Sequence, residues 1–298
     1  MNYIMLDLEW DGAYFPKIGG FINQILQIGA VKLNSNFDIV DTFETTVKSS
    51  FSKRVSKRFT ELTGITKADM LAGVPLKEAF GAYNDWVGDD AVTMTWSDSD
   101  IYTILENEKK LLSGVKLRID KYLDFQKYIQ EELRNIGVEC NSQISLLNAA
   151  VAFNINVDES TLHSAKADSM VCAALLKKCY NSKRFDSFVL DTSDPDFFER
   201  FTFKPYYITD IDSTDIDKSQ FDFNCPHCGK ELVTVRSWRA RFGGFTALMY
   251  CDDCDMEYKA TVKFRKMFDH VKVQKRISQK RQEESEKKDL CTTADSKN

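Results

Sequence analysis

Apolar and polar positions alternate along the start of the chain with the period of a β-strand. Apolar residues 4, 6 and 8 alternate with Asp7 and Glu9, which places the two acids on one face of the predicted strand. A glycine-containing loop follows, and two further runs at 25–33 and 37–47 also predict strands. Successive strands joined by a tight turn indicate an antiparallel part of a sheet.

From residue 53 onward the apolar positions recur every three or four residues, as in amphipathic helices. The predicted helices cover residues 53–62, 66–70, 75–87, 101–112, 126–135, 145–153 and 165–180. Two short apolar runs between them, 91–96 and 122–125, predict buried strands. The mixture predicts an α/β fold, a mixed sheet flanked by helices, over residues 1–185.

Beyond residue 185 the pattern changes. Residues 186–219 are acidic and lack clean periodicity, which predicts a linker or a crossing segment. Residues 220–263 contain paired cysteines and predict a small metal-binding domain. Residues 264–298 predict a basic helix followed by a disordered tail.

Composition narrows the class of protein. The chain is 43% hydrophobic and 29% charged, as in globular proteins. No apolar run approaches the ~20 residues that span a bilayer, and the N-terminus does not resemble a signal peptide. We therefore expect a cytoplasmic protein without membrane association. The net charge is −5, yet residues 230–281 carry 13 bases against 6 acids, an uneven distribution that is typical of contact with anionic partners.

Several acids are candidates for a metal site. Asp7 and Glu9 would repel each other on one face, and burying them requires a partner such as a cation. The alternative is a strand end with two solvated acids. Asp98 and Asp100 follow the predicted strand 91–96, where side chains commonly face a ligand crevice. The alternative is that Asp98 or Ser99 caps the next helix, which would place Asp100 in its first turn.

A histidine and an acid open the predicted helix 165–180. His163 precedes that helix and Asp168 lies about one turn into it. A surface histidine without a chemical role is the alternative interpretation, since the pair by itself is a weak motif.

In chain order, Asp7-x-Glu9, Asp100 and His163-x4-Asp168 resemble the motifs of the DEDDh exonuclease superfamily, over roughly residues 1–182. Residues 27–31 and 62–65 are similar to further segments of that family. The stretch from Thr95 to Asp100 is most similar to the Eri-type and KapD-like branch, which favours Asp100 over Asp98. One departure is Gln27, where many relatives carry glutamate, and we expect little chemical consequence.

The resemblance implies a ribonuclease H-like fold and a 3′→5′ exonuclease that releases 5′-nucleotides from single-stranded nucleic acid, with RNA favoured over DNA. Asp7, Glu9, Asp100 and Asp168 would hold two Mg²⁺ or Mn²⁺ ions, which such hard oxygen ligands suit. His163 would take a proton from the attacking water. The residues expected to contact substrate in this domain are Leu8, Trp10, Leu62, Thr63, Gly64 and Trp96.

Two Cys-x-x-Cys pairs, separated by 22 residues, predict a zinc ribbon with one structural Zn²⁺. The four predicted ligands are Cys225, Cys228, Cys251 and Cys254. A redox role for one pair is the alternative. The remaining cysteines are scattered and have no disulfide-like spacing.

The predicted hairpin between the cysteine pairs interleaves basic and aromatic residues. Arg236, Trp238, Arg239 and Arg241 are therefore candidates for gripping single-stranded nucleic acid. The alternative is that the aromatic residues form the ribbon's core and the arginines are solvated. Two other functions stay open for the chain: a non-catalytic adaptor that binds nucleic acid or protein, and a ribbon that recruits a protein partner.

Overall fold

The computed structural model describes residues 2–112, 114–140, 143–158 and 162–280. Between Thr202 and Phe203 the chain divides into two compact units. The predicted disordered tail, residues 287–298, lies outside the described residues.

A seven-stranded mixed sheet forms the centre of the first unit, in the order β4-β3-β2-β1-β5-β6-β7. The strands are β1 (Asn2–Phe15), β2 (Gly20–Leu33), β3 (Ile39–Lys48), β4 (Val74–Pro75), β5 (Ala91–Thr95), β6 (Lys121–Asp124) and β7 (Leu190–Asp191). β1, β2 and β3 are antiparallel, whereas β5 is parallel to both β1 and β6. The predicted loop between the first two strands is a continuation of their hairpin.

Nine helices of the described residues surround this sheet. They are α1 (Lys57–Thr63), α2 (Lys67–Ala72), α3 (Leu76–Val87), α4 (Ser99–Leu111), α5 (Phe125–Asn135), α6 (Leu146–Ala152), α7 (Ala165–Cys179), α8 (Ser182–Phe188) and α9 (Asp196–Thr202). Within the described residues, no helix combines the length and apolar character needed to cross a membrane.

The alternation along β1 divides the core into two layers. Ile4, Leu6 and Leu8 pack with α3, α4 and α9 on one face of the sheet. Tyr3 and Met5 pack with α5, α7 and α8 on the other. Asp7 and Glu9 continue the second face, so the predicted sharing of a face is confirmed.

The predicted linker at 186–219 is wrong for its first part. α8 ends at Phe188, β7 pairs with β6, and α9 buries Phe197 against Tyr122. The first unit therefore extends to Thr202 and not to 185. Phe197 and Phe201 lie one helical turn apart and pack on the core, which is a helical spacing. The many acidic residues around them hid that spacing in the sequence.

The second unit is a five-stranded antiparallel sheet. Its strands are β8 (Tyr206–Tyr207), β9 (Val233–Arg241), β10 (Gly244–Cys251), β11 (Met256–Lys266) and β12 (Val271–Gln279). Four of them run in the order β12-β11-β10-β9, and β8 pairs with the end of β11. One face is covered by the segment 208–223, which buries Ile208, Ile216, Phe221 and Phe223.

The predicted basic helix after residue 263 is wrong. β11 continues to Lys266, and β12 pairs with it through nine residue pairs. Phe264 and Val271 fit a helical spacing, but Val271, Val273 and Ile277 alternate with exposed residues and pack on the core. The local sequence is compatible with both the helical period and the strand period, and pairing with β11 selects the strand.

Candidate active site and cysteine cluster

Three acids converge at the end of the first unit's sheet. Carboxylate oxygens of Asp7, Glu9 and Asp168 lie within 4.8 Å of one another. Asp7 and Glu9 come from β1, and Asp168 comes from the first turn of α7. The fold thus assembles residues that are about 160 positions apart in sequence.

The residues of β2 opposite the two acids hold α7 in place. Gly29 pairs with Asp7 and Gln27 pairs with Glu9. A Cβ on Gly29 would lie 2.2 Å from the backbone nitrogen of Lys166, so the absence of a side chain permits the helix to approach. The side-chain Oε1 of Gln27 accepts a hydrogen bond from the Ala165 N–H at 3.2 Å.

Two further contacts support the same docking, and sequence reasoning missed them. The Ser169 hydroxyl donates to the Gly29 carbonyl oxygen at 3.2 Å, and Lys166 pairs with Glu44 of β3. The spacing Gln27-x-Gly29 matches Asp7-x-Glu9 across the hairpin, and that match was the available indication of a docking role.

Asp100 lies beside this group, in the first turn of α4. It is 3% exposed, and its Oδ1 accepts the Leu8 N–H at 3.1 Å. Asp98 belongs to a different cluster, because it pairs with Lys127 at 3.2 Å and shares a hydrogen bond with Asp124. The preference for Asp100 over Asp98 as the site acid agrees with this placement.

Burial raises the pKa of each of the four carboxyl groups, and repulsion from the neighbouring acids adds to this for Asp7 and Glu9. Burial, followed by the charges of Asp100, Glu9 and Asp168, raises the pKa of Asp7 well above its usual range. Burial, followed by the charges of Asp168 and Asp100, raises the pKa of Glu9 to about 8, and burial raises the pKa of Asp100 to about 7. Burial also raises the pKa of Asp168, whose Oδ1 is buried without a hydrogen-bond partner.

An unpartnered buried oxygen among four carboxylates suits a divalent cation. The donor set contains only oxygen, which favours Mg²⁺ or Mn²⁺ over softer metals. The residues present therefore fit the predicted ions. Zinc is less suited to this site because no thiolate or imidazole belongs to the group that converges here.

His163 is exposed and lies just before Ser164, the N-cap residue of α7. Its backbone has φ 68°, a left-handed conformation in which histidine is one of the more frequent non-glycine residues. Its backbone also forms a hydrogen bond with the Asp168 carboxylate. The histidine is therefore tied to the acidic group through the main chain while its side chain faces solvent.

The predicted substrate residues differ in accessibility. Leu62 is 48% exposed at the end of α1, next to Thr63 and to Gly64, which ends that helix with φ 74°. Leu8 is buried, and Trp10 and Trp96 are partly buried against the two core layers. Substrate contact by these six residues stays a prediction, with Leu62 the most available of the apolar ones.

The four predicted cysteine ligands form one cluster. Their sulfur atoms lie within 4.8 Å of one another, with Cys225–Cys254 at 3.9 Å and Cys228–Cys251 at 3.5 Å. A tetrahedron of Zn–S bonds of ~2.3 Å has edges of ~3.8 Å, so the cluster has the dimensions of a zinc site. Among the described residues, every cysteine is free of disulfide bonds.

Local hydrogen bonds favour thiolate at one of these cysteines. Burial opposes ionisation of Cys225, but hydrogen bonds from the Tyr258 hydroxyl and from the backbone of Cys228 and His227 outweigh it and lower the pKa of Cys225 to about 6. His227 is exposed and is not a member of the cluster. The convergence of four sulfur atoms, and not of two, is more consistent with metal binding than with a redox pair.

The predicted gripping residues of the ribbon divide between two faces. Trp238 packs against Phe221 and Phe223, with ring centroids at 4.8 and 6.0 Å, and belongs to the ribbon's core. Arg236, Arg239 and Arg241 are exposed. Trp238 is therefore poorly placed to stack on a base, whereas the arginines are accessible.

The raised pKa values predict how metal and pH act together on stability. Between about pH 4 and pH 8 the metal-free folded state binds more protons than the unfolded chain, so its stability falls as pH rises through this window. Mg²⁺ or Mn²⁺ binds the ionised carboxylates and not the protonated ones, so its binding strengthens as pH rises. We expect either ion to raise the melting temperature of the first unit more at pH 8 than at pH 5, as measured by thermal denaturation.

Glu9→Gln provides the control for this titration, because it removes one of the shifted groups. The variant should show a flatter dependence of melting temperature on pH and a smaller metal effect. An equal metal-induced shift at both pH values in the unmodified protein would contradict the predicted site.

The mixed sheet with helices on both faces and the acidic group at α7 define a ribonuclease H-like exonuclease domain. Residues 18–176, more than half of the chain, match the exonuclease family RNase T, and the chain belongs to this family. The predicted resemblance to exonucleases of this superfamily is thereby confirmed.

Individual relatives are distant. DNA polymerase III subunit epsilon of Aquifex aeolicus (strain VF5) is 28% identical over 151 residues, which cover 47% of this chain and 70% of that protein. Cell-death related nuclease 4 has a similar fold, with a TM-score of 0.50 and 16% identity over 59% of this chain and 62% of that one. A full-length 3′-exonuclease matches with a TM-score of 0.51 and 18% identity, over 65% and 91% of the two chains. The chain thus spans less than two thirds of the cell-death nuclease.

Proposed function

We propose that this protein hydrolyses single-stranded nucleic acid from its 3′ end, with RNA favoured, and releases 5′-nucleotides. The observation that carries the proposal is the convergence of Asp7, Glu9 and Asp168, with Asp100 beside them, in a site that contains an unpartnered buried oxygen. Membership of an exonuclease family supports the reaction, and the fold shared with a 3′-exonuclease supports the direction.

Asp7, Glu9, Asp100 and Asp168 would hold two Mg²⁺ or Mn²⁺ ions, and these ions, when bound, would supply stabilisation of negative charge on the phosphodiester. The oxygen of a water molecule attacks phosphorus, and the bond from phosphorus to the 3′-oxygen of the preceding nucleotide breaks. His163 accepts the proton that the water loses. The leaving 3′-oxygen takes a proton from solvent, and the terminal residue departs as a 5′-nucleotide.

Removing the proposed base should slow turnover and spare binding. We expect His163→Ala to lower kcat by ~10²–10⁴ with little change in substrate affinity. His163→Asn should give the same loss, and asparagine tolerates the left-handed backbone at this position. Single-turnover degradation of a labelled oligonucleotide measures both variants.

His270→Ala is the matched control, because His270 is exposed and distant in sequence from the acids. It should retain full turnover. An unchanged rate in both His163 variants would remove the histidine from the mechanism.

A gel assay separates the proposal from its alternatives. Labelled RNA and DNA of matched sequence are incubated with Mg²⁺ or Mn²⁺, and shortening from the 3′ end is followed. Degradation of DNA alone would establish the DNA exonuclease alternative. Absence of degradation for both substrates would favour the non-catalytic adaptor. A protein partner of the ribbon and a cytoplasmic location stay predictions from the sequence.

A further inference from the structure

The second unit's sheet has one covered face and one exposed basic face. Alternate residues of β10 and β11, such as Phe245 and Val262, are buried in the core, so their neighbours in sequence point to the opposite side. The basic residues on that side come from three strands. Six of them, Arg236, Arg239, Arg241, Lys259, Lys263 and Arg276, are together called the basic face.

The basic face is not neutralised within the protein. Among the ion pairs of the described residues, none involves these six side chains. Where acids of the unit form ion pairs, their partners are other lysines, as for Asp215 with Lys266 and Glu257 with Lys280. Six cations on one sheet surface repel one another, and an anionic partner would relieve that repulsion.

Exposed aromatic rings lie at one end of this face. Tyr207 of β8 pairs with Arg265 and is 43% exposed, and the Lys263 ammonium lies 5.5 Å from the centre of its ring. A Cβ on Gly243 would lie 3.3 Å from the Tyr207 ring, so the β9–β10 turn adjoins it. Phe242, in that turn, is 93% exposed.

Phe242 is unfavourable where it stands. Phe242 has φ 49° and Gly243 has φ 70°, as in the two-residue hairpin turns that prefer Asn-Gly or Asp-Gly. A phenylalanine at such a position has both a strained backbone and a large apolar side chain in water. Because the ring packs on nothing in the described structure, folding does not account for it.

We propose that the basic face and the Phe242 ring bind single-stranded nucleic acid, with phosphates on the cations and an unpaired base stacked on Phe242. Cations interleaved with exposed aromatic rings suit a single strand, because the bases of a duplex already stack on one another and are not available to the protein's rings. An acidic protein would use the charges and leave the phenylalanine without a role. The inference deepens the proposed exonuclease function, on which it rests, by assigning a substrate-holding surface to the second unit.

Charge neutralisation is tested by matched triple variants in full-length Asp7→Asn protein without Mg²⁺ or Mn²⁺. Arg236→Gln, Arg239→Gln and Arg276→Gln together should weaken binding of a labelled single strand at least about tenfold. The slope of log affinity against log salt should become shallower by about 2. The control removes three cations elsewhere in the unit, with Lys218→Gln, Lys230→Gln and Lys266→Gln, and should bind nearly as before.

Stacking is tested by Phe242→Asn, which replaces the ring with a residue suited to the turn. We expect affinity for the single strand to fall roughly 5- to 100-fold while the melting temperature stays equal or rises. Phe242→Trp should retain binding. A merely structural role for Phe242 predicts the opposite, a lower melting temperature with unchanged affinity.

Each result separates the two proposals. Equal loss of binding in both triple variants, or no effect of Phe242→Asn, would overturn the inference. So would tighter binding of a duplex than of the single strand by the same protein, or displacement of the labelled strand by polyglutamate as effectively as by unlabelled single strand. If the basic-face substitutions, made in protein that keeps Asp7, leave degradation unchanged, the exonuclease function would stand without the inference. Binding that depends on the basic face, without degradation, would support the inference and count against the exonuclease.

Discussion

Asp7→Asn is expected to abolish cleavage without unfolding the sheet. The charges of Asp100, Glu9 and Asp168 all act on Asp7, which places it at the centre of the acidic group. Loss of its carboxylate removes a ligand that the proposed ions need. Metal ions contribute several kcal/mol to such reactions, so a loss of about 10³-fold or more in turnover is expected. Degradation of a labelled single strand with Mg²⁺ measures it.

The same substitution should leave the metal-free protein as stable as before or more stable. An amide removes one of four mutually repelling carboxylates, so the melting temperature without divalent ions should not fall. Asp98→Asn is the matched control, because Asp98 pairs with Lys127 outside the acidic group. If Asp98→Asn lost as much activity as Asp7→Asn, the second motif would have been assigned to the wrong acid.

Gly29→Ala should cost both stability and activity. The added Cβ would meet the backbone of α7 at 2.2 Å from Lys166 N and 2.3 Å from Ala165 C, where no flexible side chain can give way. Overpacking of this kind costs about 1–3 kcal/mol, or a decrease of roughly 3–10 °C in the melting temperature of a unit of this size. Because α7 carries Asp168, displacement of the helix should lower turnover about 10²-fold.

Gly81→Ala makes the same chemical change where there is room. Gly81 lies within α3, and a Cβ there meets nothing within 4 Å. Alanine is the better helix former, so a gain of roughly 0.5–1 kcal/mol and unchanged turnover are expected. Equal behaviour of the two variants, measured by thermal unfolding and degradation rate, would contradict the docking role of Gly29.

Sequence patterns were sufficient for the features that depend on neighbouring residues. The period of two along β1 predicted that Asp7 and Glu9 share a face, and the Cys-x-x-Cys pairs predicted a four-sulfur cluster. The spacing within each motif is local, because residues two or three apart are constrained by the backbone itself. The two cysteine pairs meet only because β9 and β10 form a hairpin between them. The exonuclease family was predicted from the resemblance of the acidic motifs to those of the DEDDh superfamily, and the family match confirms it.

Features that depend on a distant partner were less predictable. The basic segment after Phe264 satisfied a helical spacing and a strand spacing equally, and pairing with β11 selected the strand. That choice moved Arg276 from a supposed helix onto the same surface as Arg236, although the two residues belong to different strands. The basic face therefore could not be inferred from the local charge pattern.

The sequence by itself indicated the fold class and the four cysteines through residue type and spacing, and it indicated the site acids through the resemblance of their motifs to the exonuclease superfamily. Only the tertiary structure decided that Gly29 and Gln27 receive α7 opposite Asp7 and Glu9, and that Trp238 points inward while the arginines point out. Strand register and helix docking bring together groups far apart in the chain, and they are set by packing of the whole domain rather than by any local preference.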